Sequence, residues 1–375
     1  MSGPLTGIRI IEFASIGPGP FCGMMLADHG AEVIRVERPG GILDPRDPLT
    51  RNRRSIVLNT KSPEGRDVAR ALCRSADGII EGYRPGVMER LGLGPDMLLV
   101  DNPELVYGRI TGWGQYGPWS QMAGHDINYI AVSGVLHTIG IKGQKPIPPV
   151  NYVGDFGGGA MMLAFGLISA LLAVRNGAQG QVVDAAMTDG SALLAGMSWG
   201  FLAKGANRDL PGVNRLDGGA HFYDTYECAD GKWIAIGAIE PQFYALLRDK
   251  AGLADPAFND QLNPEAWDLL KEKLAEIIRG KTRDEWTTLM AMTDACVAPV
   301  LSMEEAPKHP HNMARGTFLT IEGAIQPAPA PRYSETANDQ PRPSPPAGTD
   351  ADAILASVGY NADEVKALRE AGALG

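Results

Sequence analysis

The fold is indicated most directly by residues 8–36, which read IRIIEFASIGPGPFCGMMLADHGAEVIRV. The apolar run Ile8–Phe13 predicts a β-strand, Phe21–His29 an α-helix and Ala31–Val36 a second strand. A turn rich in glycine and proline joins the first strand to the helix. Short apolar strands separated by a helix are typical of a βαβ unit, so this stretch predicts a parallel sheet covered by helices on both faces.

The same alternation continues along the first half of the chain. Further strands are predicted at Ser55–Leu58, Gly78–Gly82, Leu105–Thr111 and Gln181–Ala185. Further helices are predicted at Pro63–Ser75 and from near Asp126, Gly157 and Met187. The sequence therefore predicts an α/β fold class for this part of the chain.

The pattern changes twice beyond this domain. A hairpin is predicted at Phe222–Glu227 and Lys232–Gly237, followed by helices, which indicates a smaller α+β domain. Seven prolines between Gln326 and Pro346 indicate an extended connector. The predicted division is a large domain, a linker, a small domain, a proline-rich linker and C-terminal helices, at residues 1–200, 201–220, 221–320, 321–347 and 348–375.

The composition limits the kind of protein. A formal net charge of −10 argues against a general nucleic-acid or bilayer surface. The four cysteines and the histidines show no spacing typical of a disulfide framework or a metal site, and a cytoplasmic location is expected. The uncharged segment Phe156–Val174 is as long as a membrane span. Its glycine-rich start favours a buried core helix, so no membrane span is predicted.

The turn after the first strand resembles a dinucleotide-binding fingerprint. Gly17, Gly19 and Gly23 lie between a strand and a helix, and Glu37 ends the next strand. The third glycine is displaced by one position, and Pro18 and Pro20 lack N–H groups that a pyrophosphate would use. Nicotinamide or flavin binding is therefore not predicted, and the glycines are interpreted as room for a ligand to pass close to the turn.

Basic residues are concentrated near the N-terminus. They are Arg35, Arg38, Arg46, Arg51, Arg53, Arg54 and Lys61, followed by Arg84 and Arg90. Arginines that converge on one edge of a sheet can bind phosphate groups through paired hydrogen bonds. A solvated protein face explains the same cluster equally well.

Two titratable residues stand beside glycines, thirty positions apart, at predicted helix starts. They are His125 in Gly124-His125-Asp126 and Asp155 in Gly154-Asp155-Phe156. A histidine and an aspartate are well suited to exchange a proton near neutral pH, because burial or a neighbouring charge can move either pKa into the working range. Each residue alone also has an ordinary structural explanation, as does Glu240 before the predicted helix at Pro241.

Several segments together resemble the class III coenzyme A transferase superfamily and, within it, the α-methylacyl-CoA racemase branch. They are Leu5–Glu12, Gly17–Pro20, Gly30–Pro39, Glu81–Gly86, Gly124–Tyr129 and Asn151–Gly159. The resemblance implies a large Rossmann-like domain with a parallel sheet, formed by both chain ends, and a smaller domain. It also implies an interlocked homodimer, in which Glu240 of the partner subunit approaches the His125–Asp155 site.

The resemblance further implies an acyl-CoA substrate and no separate cofactor. Residues expected to hold the nucleotide end of the coenzyme are Arg38, Leu58, Asn59, Thr60, Lys61, Gly82, Tyr83, Arg84 and Arg90. Residues expected to lie along the pantetheine arm and the thioester are Gly124, Ile127, Asn128 and Tyr129. On this view the basic cluster is a phosphate site.

The expected reaction is racemisation at the α-carbon of a 2-methylacyl-CoA. Neutral His125 would take the proton from the (S)-substrate and protonated Asp155 would return one to the opposite face, with the roles reversed for the (R)-substrate. Helix N-terminal N–H groups such as that of Asp126 would hold the enolate, and the Asp126 side chain would orient His125 or contact the thioester. The alternatives are CoA transfer, with Asp155 as nucleophile and no need for His125, and a non-catalytic CoA-binding protein.

Overall fold

The computed structural model describes residues 2–375 and divides the chain into two compact units. The large unit comprises the described residues up to Ser133, then Val150–Leu194 and His311–Gly375. The small unit comprises Gly134–Pro149 and Ala195–Pro310. These bounds differ from the sequence-based division at residues 134–149, 195–220 and 311–347. Local sequence patterns locate strands and helices, but they do not show on which unit a loop packs.

A six-stranded parallel sheet forms the centre of the large unit. Its strands are β1 (Arg9–Phe13), β2 (Glu32–Glu37), β3 (Arg54–Val57), β4 (Gly78–Glu81), β5 (Val106–Thr111) and β6 (Val182–Ala186). The order β3-β2-β1-β4-β5-β6 is that of a Rossmann fold, which confirms the α/β prediction. The strand order reverses between β1 and β4, and ligands of such sheets bind outside the carboxyl ends of the strands at this switch point.

Helices cover both faces of the sheet. They are α1 (Pro18–Asp28), α2 (Pro63–Arg74), α3 (Val87–Arg90), α4 (Pro95–Asp101), α5 (Asp126–Val132), α6 (Met162–Arg175) and α7 (Met187–Leu194). Alternate residues of each strand enter different cores, because successive side chains of a strand point to opposite faces. Ile11 and Ile34 belong to one buried cluster, and Ile10 and Val33 belong to the other.

A π-helical segment, Tyr152–Met161, runs directly into α6. The combined 24-residue helix is long and apolar enough to cross a membrane by length and composition. Leu163 and Leu167 nevertheless belong to the buried cluster of the large unit, so α6 packs as a core helix. Its other face carries an exposed apolar stripe, defined as Met161, Phe165, Ile168 and Leu172.

The π-helical segment and α7 touch through their backbones. A Cβ atom added to Gly190 would lie 1.8 Å from the carbonyl oxygen of Gly158. A Cβ atom added to Gly158 would lie 2.6 Å from the backbone nitrogen of Ser191. Only glycine at positions 158 and 190 allows this approach, which fixes the position of the segment that carries Asp155.

The small unit contains α8 (Gly196–Ala203), β7 (Tyr223–Glu227), β8 (Trp233–Gly237), α9 (Pro241–Ala251), α10 (Trp267–Ile278), α11 (Arg283–Met290) and β9 (Val297–Pro299). The strands form an antiparallel sheet in the order β7-β8-β9, and β7 and β8 are the hairpin that the sequence predicts. Phe222, Trp267 and Trp286 lie in its buried core.

The chain then returns to the large unit. It adds α12 (Pro310–Arg315), the antiparallel hairpin β10 (Phe318–Ile321) and β11 (Ala324–Pro327), and the helices α13 (Ala351–Ala356) and α14 (Ala362–Glu370). The proline-rich stretch is fastened by side chains: Arg51 donates to the carbonyl oxygen of Pro327 and Thr50 to the Ser344 hydroxyl. Ile354 and Leu374 complete the core beside β3.

Candidate active site

A cavity of about 600 Å³ lies at the carboxyl edge of the sheet in the large unit. The loops after β1, β4 and β5, the start of α5 and the π-helical segment form its walls. Residues that line it include Ser15, Gly17, Gly82, Tyr83, Arg84, Trp113, Gly124, His125, Tyr129 and Asp155. The β1 and β4 loops flank the switch point of the sheet, so the cavity occupies the place where such folds bind ligands.

His125 stands immediately before α5 and is exposed. Its backbone is extended, at φ −133° and ψ 173°, and the helix begins at Asp126. The backbone N–H of His125 donates to Asn128 Oδ1 at 3.0 Å. Asn128 therefore fixes the turn that presents His125 to the cavity, and its side chain lies on this turn instead of lining the cavity.

Asp155 lies in the first turn of the π-helical segment. The sequence placed the helix start near Gly157, but the helix begins at Tyr152, because Tyr152 and Val153 are already helical. The half-buried Asp155 carboxyl accepts a hydrogen bond from Asn151 Nδ2 at 3.1 Å. Burial raises the pKa of Asp155 and the Asp126 carboxylate adds to the rise, while the Asn151 hydrogen bond and His125 oppose it.

Asp126 connects the two segments. Its side chain is 6% exposed, and Oδ1 accepts the backbone N–H of Asp155 at 2.7 Å. A Cβ atom on Gly154 would lie 2.4 Å from the same oxygen, so the glycine makes room for this contact. The sequence-based expectation was that Asp126 orients His125 or contacts the thioester; the structure places its carboxylate on the backbone of Asp155.

An aromatic wall, defined as Trp113 and Tyr129, lines the cavity beside Gly124. The Tyr129 and Trp113 rings meet edge to face at 4.8 Å, and the Trp113 and Trp119 rings at 5.0 Å. The Tyr129 hydroxyl donates to the carbonyl oxygen of Gly124. Burial raises the pKa of Tyr129, and the nearby Asp155 charge acts in the same direction.

The loop after β4 is anchored by a buried ion pair. Arg109 Nε donates to Glu81 Oε1 at 2.7 Å, and Glu81 Oε2 accepts the backbone N–H of Tyr83 at 2.8 Å. Arg38, which follows β2, lies over the Tyr83 ring with its guanidinium carbon 5.1 Å from the ring centroid. This contact joins Arg38 to a loop that lines the cavity through Gly82, Tyr83 and Arg84.

The basic cluster divides into three groups. Four of its arginines form internal ion pairs, which are Arg35 with Glu12 and Glu37, Arg51 with Asp28, Arg53 with Glu12, and Arg54 with Glu32. The phosphate-site expectation is therefore wrong for these four, because their guanidinium groups are already bound to carboxylates. Arg46 is exposed and pairs with Asp44. The remaining members, Arg38, Lys61, Arg84 and Arg90, are exposed, and none forms an ion pair within residues 2–375.

Other expected binding residues lie outside this cavity. Leu58 is buried and pairs with Leu374, and the Asn59 N–H donates to the carbonyl oxygen of Ala373 at 2.9 Å. The Thr60 side chain is half-buried, and Ile127 is exposed on α5. Glu240 lies in the small unit, at the start of α9, and is exposed. Among residues 2–375, no three His, Cys, Asp or Glu side chains are grouped as metal ligands would be.

Sequence reasoning did not single out Ser15, Trp113 or Asn151. Ser15 and Trp113 line the cavity, and Asn151 bonds to Asp155. Their positions directly after β1, after β5 and at the start of the π-helical segment are the available signal, because residues that follow parallel strands meet at one edge of the sheet. A second cavity of about 560 Å³ lies in the small unit and contains none of the expected site residues.

The Rossmann strand order and the histidine and aspartate at its switch point define an α/β protein with an acid–base site at the edge of the sheet. The chain belongs to CoA-transferase family III, whose sequence profile matches residues 5–351. It is 45% identical to Alpha-methylacyl-CoA racemase of Mus musculus, an alignment that covers 97% of this chain and 96% of the mouse protein. Alpha-methylacyl-CoA racemase of Homo sapiens is 44% identical with the same coverage.

The crystal structure of a CAIB/BAIF family protein from Brucella suis has the same fold. It superposes with a TM-score of 0.83 at 25% identity, covering 96% of this chain and all of that one (100%). The family resemblance inferred from the sequence is thereby confirmed.

Proposed function

We propose that this protein is an α-methylacyl-CoA racemase, which interconverts (R)- and (S)-2-methylacyl-CoA thioesters through an enolate. The observation that carries the proposal is that His125 and Asp155 line one cavity at the switch point of the sheet. The racemase name of the mouse and human relatives, which align over nearly the whole chain, supports the same activity.

The reaction requires a base on one side of the α-carbon and an acid on the other, because a hydrogen α to a thioester is only weakly acidic. His125 takes the proton from the (S)-substrate, and Asp155 delivers one to the opposite face; the roles reverse for the (R)-substrate. Asp126 is the first residue of α5, where the backbone N–H has no partner within its own helix. This N–H group is available to the enolate oxygen.

Asp155 must be protonated for part of the cycle, and its surroundings favour this. The carboxyl is half-buried, and burial is the largest cause of its raised pKa. A raised pKa brings the protonated form closer to neutral pH, which suits an acid that must also act as a base in the reverse direction.

The nucleotide end of the substrate is assigned to the exposed cations at the carboxyl edge, and the enzyme uses no separate cofactor. Arg38, Lys61, Arg84 and Arg90 have no carboxylate partner among residues 2–375, so their charges are available to phosphate groups. In a chain of net charge −10 these groups supply the local positive field that a CoA ester needs. The contact of Arg38 with Tyr83 connects this field to the cavity.

The protein is assigned as an interlocked homodimer, in which Glu240 of the partner subunit completes the site. Its assigned location is the cytoplasm. The exposed apolar stripe of α6 supports a further protein contact, because four large apolar side chains lie on one face of a helix. Sedimentation velocity tests the dimer. A chain that remains monomeric at working concentration, and still turns over substrate, contradicts this part of the proposal.

Deuterium incorporation tests the activity. The enzyme is incubated with a 2-methylacyl-CoA in deuterated water, and deuterium at C2 is followed by mass spectrometry together with loss of optical purity. Racemisation predicts incorporation and inversion without any carboxylic acid acceptor. Turnover that occurs only when a free carboxylic acid is supplied supports CoA transfer with Asp155 as nucleophile. Binding of the thioester without exchange or transfer supports a non-catalytic CoA-binding protein.

A further inference from the structure

We infer that Asp126 is a positioning residue for Asp155: its carboxylate fixes the backbone of Asp155 and places a negative charge beside the Asp155 carboxyl. The inference rests on the proposed racemase function. It assigns to Asp126 a role in positioning Asp155 and not His125, which precedes Asp126 in the sequence.

The fixing role follows from three observations on the Asp126 side chain. Asp126 Oδ1 accepts the Asp155 N–H at 2.7 Å, a short distance for an N–H to carboxylate bond. The Asp126 side chain is 6% exposed, so water competes little for this bond. Gly154 lies so close to Oδ1 that a Cβ atom there would collide with it. Asp126, in the first turn of α5, therefore holds the backbone of Asp155 in place.

The charge role follows from the unequal use of the two Asp126 oxygens. Oδ1 is bonded, whereas Oδ2 is buried and has no hydrogen-bond partner within residues 2–375. No arginine or lysine forms an ion pair with Asp126 in the same range, so its charge is not cancelled locally. A like charge nearby disfavours the ionised form of a second carboxyl. Asp126 thus makes Asp155 easier to protonate.

Few other charges face Asp155. The titratable groups that act on it or feel it are His125, Asp126 and Tyr129, all at or in the first turn of α5. Arg84, which follows β4, lines the same cavity as Asp155. On the other elements packed against the π-helical segment, Asp28 of α1 pairs with Arg51, Arg109 of β5 pairs with Glu81, and Asp184 of β6 accepts the Gln115 N–H. Asp189 of α7 is exposed and is a like charge beside Asp184. Asp126 is accordingly the carboxylate that sets the local negative potential.

Two substitutions at one position separate the two roles. Asp126→Asn keeps a carbonyl oxygen for the Asp155 N–H and removes the charge, whereas Asp126→Ala removes both. The rate of deuterium incorporation at C2 is measured from about pH 4 to 9, and circular dichroism checks that each variant is folded. Asp184→Asn is the control, because Asp184 is an exposed carboxylate that also accepts a backbone N–H, from Gln115 at 3.1 Å.

With the (R)-substrate, for which Asp155 is the base, the acid limb of the rate profile reports protonation of Asp155. We expect Asp126→Asn to move this limb to lower pH by roughly 0.5–1 unit, because a like charge is lost, with a rate at the optimum within about 10-fold of the parent. Asp126→Ala is expected to move the limb similarly and to lower the optimal rate by a further 10- to 100-fold or so, because the Asp155 backbone is no longer fixed. Asp184→Asn is expected to leave the limb in place.

An acid limb that Asp126→Asn does not move, or that Asp184→Asn moves equally, overturns the charge role. Equal optimal rates for the asparagine and alanine variants overturn the fixing role. If the alanine variant does not fold, retention of the optimal rate in Asp126→Asn, with Asp126→Leu as the variant that lacks an acceptor, decides the fixing role. Absence of any exchange in the parent enzyme refutes the proposed function itself, which distinguishes that failure from a failure of this inference.

Discussion

His125 and Asp155 line the same cavity but are held in opposite ways. His125 is exposed, and the contact that fixes it is a backbone N–H to the Asn128 side chain. Asp155 is half-buried, its carboxyl is bonded by Asn151 and its backbone by Asp126. An aspartate that exchanges protons near neutral pH needs a raised pKa, and burial raises the pKa of Asp155. The structure accordingly surrounds the aspartate and leaves the histidine open.

Replacing His125 or Asp155 is expected to have the largest effect on racemisation. It should also show directly that the two residues act on different epimers. His125→Ala and Asp155→Ala should each reduce racemisation by about 10²–10⁴-fold. Exchange without inversion should persist from one epimer only: from the (R)-substrate in His125→Ala, where Asp155 is the remaining base, and from the (S)-substrate in Asp155→Ala. Chiral analysis coupled to deuterium counting measures both quantities. Residual exchange from the same epimer in both variants contradicts the assignment of the two faces.

A substitution that displaces the segment carrying Asp155 should affect proton transfer by Asp155 alone. Gly190→Ala places a Cβ atom against the Gly158 carbonyl and must displace the π-helical segment. We expect a stability loss of about 1–3 kcal/mol from this overpacking, and a greater loss of exchange from the (R)-substrate than from the (S)-substrate. Thermal unfolding and epimer-resolved exchange measure these effects. Gly196→Ala is the control, because a Cβ atom there meets nothing within 4 Å. Equal losses for both epimers indicate a disturbance beyond the Asp155 segment.

Substitution at Arg38 should affect the reaction of both epimers equally. Arg38→Ala removes an exposed cation that contacts Tyr83, so we expect KM to rise about 10-fold for both epimers, with little change in kcat or in the pH profile. The matched control is Arg46→Ala, because Arg46 is exposed and pairs with Asp44 instead. Steady-state kinetics decide the matter. A fall in kcat at unchanged KM refutes a binding role for Arg38.

The two supporting asparagines should differ mainly in the pH dependence. Asn151 donates to the Asp155 carboxyl and favours its ionised form, so Asn151→Ala should raise the pKa of Asp155. The acid limb of the rate profile then moves to higher pH, opposite to the shift expected for Asp126→Asn. Asn128→Ala removes a bond to the His125 backbone only, and should lower the rate a few-fold without moving the limb. A limb that moves in Asn128→Ala, or stays in Asn151→Ala, contradicts this contrast.

Much of the fold could be predicted because its signals are local. The strands before and after α1 and the hairpin of the small unit follow from runs of apolar residues and turn residues, and each forms within a residue or two of its predicted bounds. The cavity residues could be predicted in part, because His125 and Asp155 stand beside glycines at helix starts. The family resemblance supplied the reason to consider them together.

The remainder depends on contacts between distant residues. Arg51 and Arg53 resemble ligand-binding residues in the sequence, but Asp28 and Glu12 bind them inside the fold. The contact of Asp126 with the Asp155 backbone needs two helix starts to meet, which the spacing in the sequence does not specify. Residues 134–149 follow α5 directly, yet they pack in the small unit. Local sequence propensity does not predict these contacts, because they depend on tertiary packing.

The glycine contact between the π-helical segment and α7 has a consequence for substrate range. Where two backbones touch, there is no side chain to shorten or enlarge, so mutation cannot adjust the Asp155 wall in small steps. The aromatic wall of Trp113 and Tyr129 consists of large side chains that can be reduced one at a time. We therefore expect that evolution or design toward bulkier acyl groups substitutes residues of the aromatic wall, while the segment that carries Asp155 stays unchanged.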